Sequence, residues 1–377
     1  MQGAFYFAIK RGDYIYTVRF GDSEVLHDVR IGRVVQNGEV TREVNSVNSF
    51  TFNIYENHPL YKRIQPMIKS LVSVYENREQ IFIGRILKCE GDRCKTVTCE
   101  GILAFLNDVF YKFNSAQTLS VNDFIDTLIN CVNNDRNNDR FRFAKGNITV
   151  SGSIKIENAE WKKVWAYFSE KLINELGGYL LPRIVGNTVY IDYLNDITDV
   201  CGQRVNVGEN IISRKITDSG EEVASAIIAT AKSDNSETDL KSASVGHFAA
   251  NGQATVTGDF YHKSGSSYVY SESAIEKYGF IAKTYEVTES VSADTLLAKA
   301  ISYLNSLINC KKTYEFDIAD LSKLNPSLPK IKEGQLIDVY DNTGNLQILC
   351  TKTVKNINNP TADKITLGAE IKYFTKG

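Results

Sequence analysis

Apolar and polar positions alternate along residues 50–55, with Phe50, Phe52 and Ile54 on one side and Thr51, Asn53 and Tyr55 on the other. A period of two puts one set under cover and the other toward solvent, which predicts a strand in a sheet with one covered face. The same pattern predicts strands at 4–8 and 13–19. Residues 72–75 and 80–87 flank Glu76-Asn77-Arg78-Glu79, a polar hairpin turn. Pro59 suits the first position of a short helix and Pro66 keeps it short. A strand at 95–100 and a helical turn at 101–108 complete a compact β-rich domain over residues 1–112.

The period then changes. Ser120 is a good helix N-cap, and Val121, Phe124, Leu128 and Cys131 follow at helical spacing. Residues 133–140 read as a polar loop, and Ile154 and Ile156 as part of a short strand. Trp161, Trp165, Phe168, Leu172 and Leu176 recur at three and four, which predicts a helix with an apolar stripe ended by Gly177-Gly178. A hairpin follows, with strands at 179–184 and 189–194 around Gly186-Asn187. This defines an α/β domain over 113–199.

Strand patterns return at 205–207, 211–216 and 223–231. Residues 232–272 are poor in aliphatics and rich in Ser, Gly, Asp and Lys, a composition shared with disordered linkers. The β-formers at 254–256, 260–262 and 268–270 favour an irregular hairpin insertion instead. Ser292 opens a helix carrying Leu296, Leu297, Ala300, Leu304, Leu307 and Ile308 on one side. Strands at 313–318, 334–340, 346–351 and 364–367 end the chain, with a turn at 341–345. The order is nested: a β domain over 200–245 resumes at 315–377, with 246–314 inserted. The fold class read from these elements is α+β and β-rich.

Composition narrows the function classes. The 377 residues suffice for two to four domains, and 43% hydrophobic with 23% charged content is ordinary for a globular protein. No window approaches the roughly 18 uninterrupted apolar residues of a membrane span, and the N-terminus lacks the basic region and apolar length of a signal peptide. A formal net charge of −2 argues against an electrostatic grip on nucleic acid or acidic membrane. The 20 Tyr and 18 Phe against 2 Trp fit a β-rich chain.

Catalytic and metal patterns are missing. Cys89, Cys94, Cys99, Cys131, Cys201, Cys310 and Cys350 lack the spacing of a zinc site and read as small apolar residues in a reducing compartment. Of the four histidines, His58 precedes Pro59 in a corner, where an imidazole caps backbone groups. His27 lies in no catalytic pattern, and His247 and His262 read as solvated side chains rather than metal ligands. No phosphate-binding loop is present; Gly208-Glu209-Asn210 is too short and opens a strand. Glu221-Glu222 and Glu100 with Asp108 are carboxylate pairs of the kind glycosidases use, but 45 acidic residues produce such pairs by chance. The Trp161/Trp165 stripe reads as core rather than as a sugar platform. No catalytic residue, cofactor site or metal site is assigned.

Several runs of residues carry a resemblance. Glu43-Val44-Asn45-Ser46-Val47-Asn48-Ser49-Phe50-Thr51-Phe52 leads to His58-Pro59-Leu60-Tyr61; Val72-Ser73-Val74-Tyr75, Ile81-Phe82-Ile83-Gly84-Arg85 and Cys99-Glu100-Gly101-Ile102-Leu103-Ala104-Phe105-Leu106-Asn107-Asp108 follow. Val207-Gly208-Glu209-Asn210, Tyr278-Gly279-Phe280-Ile281 and Gly334-Gln335-Leu336-Ile337-Asp338-Val339 are weaker signals. Together they resemble the N-terminal region of phage tail hubs, the tail-associated lysin or prophage endopeptidase tail family, which is similar to the central baseplate hub of contractile tails. The resemblance implies a multidomain tail-hub fold. Its two β-barrel-like domains are 1–112 and 200–245 plus 315–377, beside the α/β domain 113–199 and the inserted domain 246–314.

It further implies a homotrimer in which these domains alternate around a ring. That ring would dock on a distal tail protein hexamer, with a lumen for the tape-measure protein and then DNA, and with a central spike or receptor-binding protein beyond. The place implied is the distal tail tip of a virion made in a bacterial cytoplasm. Many relatives continue into a peptidase, lysozyme or receptor-binding module, whereas this sequence stops at Gly377, so the expectation is a structural protein and not an enzyme. The alternatives are a cell-wall hydrolase and a carbohydrate-binding adsorption module.

Overall fold

The computed structural model describes residues 16–136, 141–157, 160–233, 236–287, 291–325, 327–341 and 344–368. The chain divides into two compact units, residues 1–215 with 315–375, and residues 216–314. The strand expected at 4–8 lies outside the described residues, as does the end of the polar loop at 137–140.

The first unit is organised by a 13-stranded sheet. Ser49–Tyr55 is a strand whose Phe50, Phe52 and Ile54 are fully buried, as the alternation requires. It pairs with Cys94–Gly101, which pairs with Glu79–Glu90, then Val72–Glu76, Tyr16–Phe20 and Glu24–His27. The turn between Val72–Glu76 and Glu79–Glu90 has Asn77 and Arg78 at φ 49° and 74°, the left-handed pair of a tight hairpin.

On its other side, Ser49–Tyr55 pairs with Gln36–Glu43, and that strand pairs with Gly344–Asn356 near the end of the chain. Leu336–Asp341 lies against Gly344–Asn356 and runs parallel to Val200–Asn206. Early and late strands thus share one sheet. Its order runs from Ile211–Ser219 to Glu24–His27, and among the described residues no closed barrel forms. The β-rich α+β class holds.

A second core of this unit lies around helix Val121–Asp135. Ser120 Oγ accepts the Asp123 amide at 3.1 Å, fixing the start of the helix. Its buried residues Val121, Phe124, Ile125, Leu128, Ile129 and Val132 pack with Phe143, Leu180, Val189, Ile191 and Tyr193 of the sheet Arg142–Ile148, Thr188–Leu194, Tyr179–Val185. The expected helix over 161–176 is shorter: an α-turn at Val164–Tyr167 continues as π-type winding over Phe168–Asn174. The wider winding buries Phe168, Leu172 and Ile173.

The second unit has a seven-stranded sheet in which Ala226–Ser233 is central. That strand pairs with Ser236–Asp239 and Tyr268–Ser271 and runs parallel to Ala282–Val287. Gly246–Phe248, Ala254–Thr255 and Phe260–His262 extend the sheet, so the described part of 232–272 is made of hairpin strands, as the β-formers there predict. Helix Ala293–Leu307, capped by Ser292, covers one face with Leu296, Leu297, Ala300, Ile301, Leu304 and Leu307. The strands Ala226–Ser233 and Ser236–Asp239 are hydrogen-bonded into this sheet, and the compact unit spans 216–314.

Candidate functional site

The histidines are structural. His58 Nε2 lies 3.0 Å from the Leu26 carbonyl, and the Leu60 amide donates to His58 Nδ1 at 3.1 Å. This is the corner cap its place before Pro59 predicts. His27 Nδ1 accepts the Val35 amide at 3.3 Å. Burial pushes both imidazoles below their ordinary value. In the other unit, His247 Nδ1 is 3.1 Å from the Gly258 carbonyl and His262 Nδ1 is 2.8 Å from that of Tyr268. His262 is buried, which corrects the expectation of a solvated side chain: it sits on the inward side of Phe260–His262. Among the described residues no group of three or more His, Cys, Asp or Glu side chains is placed to hold a metal ion.

Glu100 and Asp108 do come together, through a cation. Arg85 Nε donates to Glu100 Oε1 at 2.6 Å, and the guanidinium also forks onto Asp108. Arg136 Nη1 reaches the same Asp108 at 2.6 Å. The two guanidiniums lie 4.9 and 4.6 Å from the Phe105 ring. Arg85 bridges the two carboxyl groups directly, so the pair is a brace across the strand end rather than two groups facing an open cleft. Glu221 and Glu222 are exposed. Trp161 is 68% exposed and lies ahead of the helix, which corrects its assignment to the core stripe, while Trp165 is partly buried against the core. The seven cysteines form no disulfide.

Charges missed by sequence reading gather inside the first unit. Lys355 Nζ lies 3.7 Å from Asp320 Oδ2 and 3.5 Å from Asp363 Oδ2, and Lys323 also binds Asp363. Gln203 donates to Asp320 at 2.9 Å and accepts the Leu321 amide at 2.8 Å. Burial acts to raise Asp320, but the Ser322 hydrogen bonds and the Lys355 charge outweigh it and hold the carboxyl low. Burial prevails at Asp363 and pushes it up. A signal existed: Thr351, Thr353 and Lys355 share one side of Gly344–Asn356 and are buried, so a lysine occupies a core position. A buried polar network of this kind rigidifies the packing around it.

A cavity of about 720 Å³ opens in the same unit. Phe20, Met67, Ile68, Leu71, Phe105 and Phe141 form its apolar walls; Arg63, Lys69, Arg85 and Arg136 bring four cations to it, and Asp22 and Glu24 two carboxylates.

Sheet order and nesting define a class. The fold is that of prophage tail proteins: gp18 from Listeria monocytogenes EGD-e aligns at a TM-score of 0.57 with 11% identity, covering 95% of each chain. The 43 kDa tail protein of prophage MuSo2 from Shewanella oneidensis aligns at 0.57 and 12%, covering 95% of this chain and 98% of that one. The tail protein from Neisseria meningitidis MC58 aligns at 0.57 and 14%, covering 96% and 98%. Residues 201–376 match the sequence model of the family described as prophage endopeptidase tail. The resemblance read from the sequence is borne out, although the family match falls on the later half and not on the Glu43–Asp108 stretch that carried it. No curated protein matches the chain.

Proposed function

We propose that this chain is a structural hub of a phage tail tip, a trimeric ring that joins the distal tail protein and tail tube to a central spike or fibre and leaves a channel for the tape-measure protein and DNA. The observation that carries this reading is the likeness to prophage tail proteins along 95–96% of the chain. The domain division that goes with it keeps 1–112 and 113–199. It moves the boundary of the discontinuous domain to about 215, leaving 216–314 as the insertion, on the strand pairing and compactness of that unit.

The reading includes the absence of enzymatic activity. Its support is local: the paired carboxylates are locked on Arg85 and the histidines serve backbone groups.

Electron microscopy of purified tail particles with a tagged chain tests the role. Three copies around the axis at the distal tip are expected, and another copy number or position overturns it. Incubation of the protein with purified cell wall tests the enzymatic part: release of peptide or sugar would replace the hub by a hydrolase.

A further inference from the structure

We propose that Lys323 Nζ and Asp363 Cγ join in an intramolecular isopeptide bond inside the first unit. The two side chains are 13% and 5% exposed and already touch. Lys323 Nζ donates to Asp363 Oδ2 and also to the Pro360 carbonyl, which holds the amine beside the carboxyl. Both residues sit at short helical turns, Lys323 at the end of Leu321–Lys323 and Asp363 just after Pro360–Ala362. A nucleophile and an electrophile kept in contact by the fold react as if at very high concentration.

The carboxyl is divided between two sets of donors. Oδ1 accepts the Asn356 amide at 2.7 Å, while Oδ2 meets Lys323 and lies 3.5 Å from Lys355 Nζ. Oδ1 is thus placed to remain as the amide carbonyl, its developing negative charge held by a backbone N–H. Oδ2 is the oxygen that leaves, beside two amines that carry protons.

The surroundings select this pair from the cluster. Burial pushes Lys323 below the ordinary lysine range and Asp363 above the ordinary carboxyl range, toward the neutral amine and the neutral acid that the reaction needs. Burial acts to lower Lys355 as well, but the charges of Glu76, Asp363 and Asp320 outweigh it and keep that side chain an ammonium, so it is not the nucleophile. Asp320 stays a carboxylate, its Oδ1 accepting from Gln203 and from the Ser322 amide, each at 2.9 Å.

The step balances without a co-reactant. One proton passes from the Lys323 ammonium to Asp363 Oδ2, and the neutral amine attacks Cγ. The C–N bond forms, a second amine proton follows to Oδ2, and the Cγ–Oδ2 bond breaks with loss of water. One ammonium and one carboxylate become one amide and one water, with no change of oxidation state. Two buried charges, costly to desolvate, are replaced by a neutral group. The bond ties together residues 40 apart in sequence. It rests on this cluster alone and stands apart from the hub reading.

Mass spectrometry of the purified full chain tests it. The intact mass is expected to fall one water below that of the sequence, and a tryptic digest to contain a branched peptide joining Lys323 to Asp363. Lys323→Arg, which keeps the positive charge without the amine, is expected to show the full sequence mass and only linear peptides. Full sequence mass in the unmutated chain, a water lost while the peptides of Lys323 and Asp363 stay linear, or a branch through Lys355 overturns the proposal.

Discussion

Gly84 and Gly101 are direct cross-strand partners in the pairing of Glu79–Glu90 with Cys94–Gly101. Neither position has room for a side chain. A Cβ on Gly84 would stand 2.0 Å from the Glu100 carbonyl oxygen, and one on Gly101 would stand 2.9 Å from that of Asn48. The Gly101 amide donates to the same Asn48 oxygen at 2.6 Å. Both obstacles are backbone, so Gly84→Ala is expected to cost about 2–3 kcal/mol, read as a lower denaturation midpoint at unchanged slope.

Lys330 Nζ lies 3.0 Å from Oε2 of Glu76, which is 2% exposed and also accepts the Tyr16 hydroxyl at 2.8 Å. Removing the lysine leaves a buried carboxylate short of charge. Lys330→Met is expected to cost about 3 kcal/mol in denaturant unfolding. Lys332→Met, which removes one of two lysines from the half-exposed Glu79 and leaves Lys330 at 3.9 Å, is expected to stay within about 0.5 kcal/mol.

Protonation of His27 and His58 opposes folding, because burial holds both below the ordinary 6.5. A base with a lowered folded pKa contributes stability that is full above its unfolded value and is lost as pH falls through the folded one. The thermal midpoint is therefore expected to drop between pH 7 and pH 5. The double variant His27→Gln/His58→Gln is expected to be less stable at pH 7, having lost its caps, and to show a shallower drop. An equal drop in both proteins contradicts the assignment.

The two ends of the 161–176 stripe differ in weight. Trp161→Ala is expected to change stability by less than about 0.5 kcal/mol. Phe168→Ala, at a fully buried position, is expected to cost about 3–5 kcal/mol. Chemical denaturation of the two variants side by side separates them.

Local features were legible in the sequence because their causes are local. Phe50, Phe52 and Ile54 are buried as their alternation requires, Asn77-Arg78 makes the turn, and Ser120 and Ser292 cap their helices. The pairing of Gln36–Glu43 with Gly344–Asn356 was not legible, since register between distant strands leaves no local pattern. Trp161 misled because helical spacing does not show where the helix begins. The Lys355–Asp320–Asp363 cluster was hidden because charged residues read as surface unless their inward strand parity is noticed.

The pairing of Thr41 with Val354 has a consequence for biosynthesis. During translation, residues 216–314 can close their own sheet as soon as they leave the ribosome, since every strand partner among 226–287 lies within that span. The earlier-made strand Gln36–Glu43 must wait with an open edge until Gly344–Asn356 has been synthesised. The middle of the polypeptide is finished before its beginning.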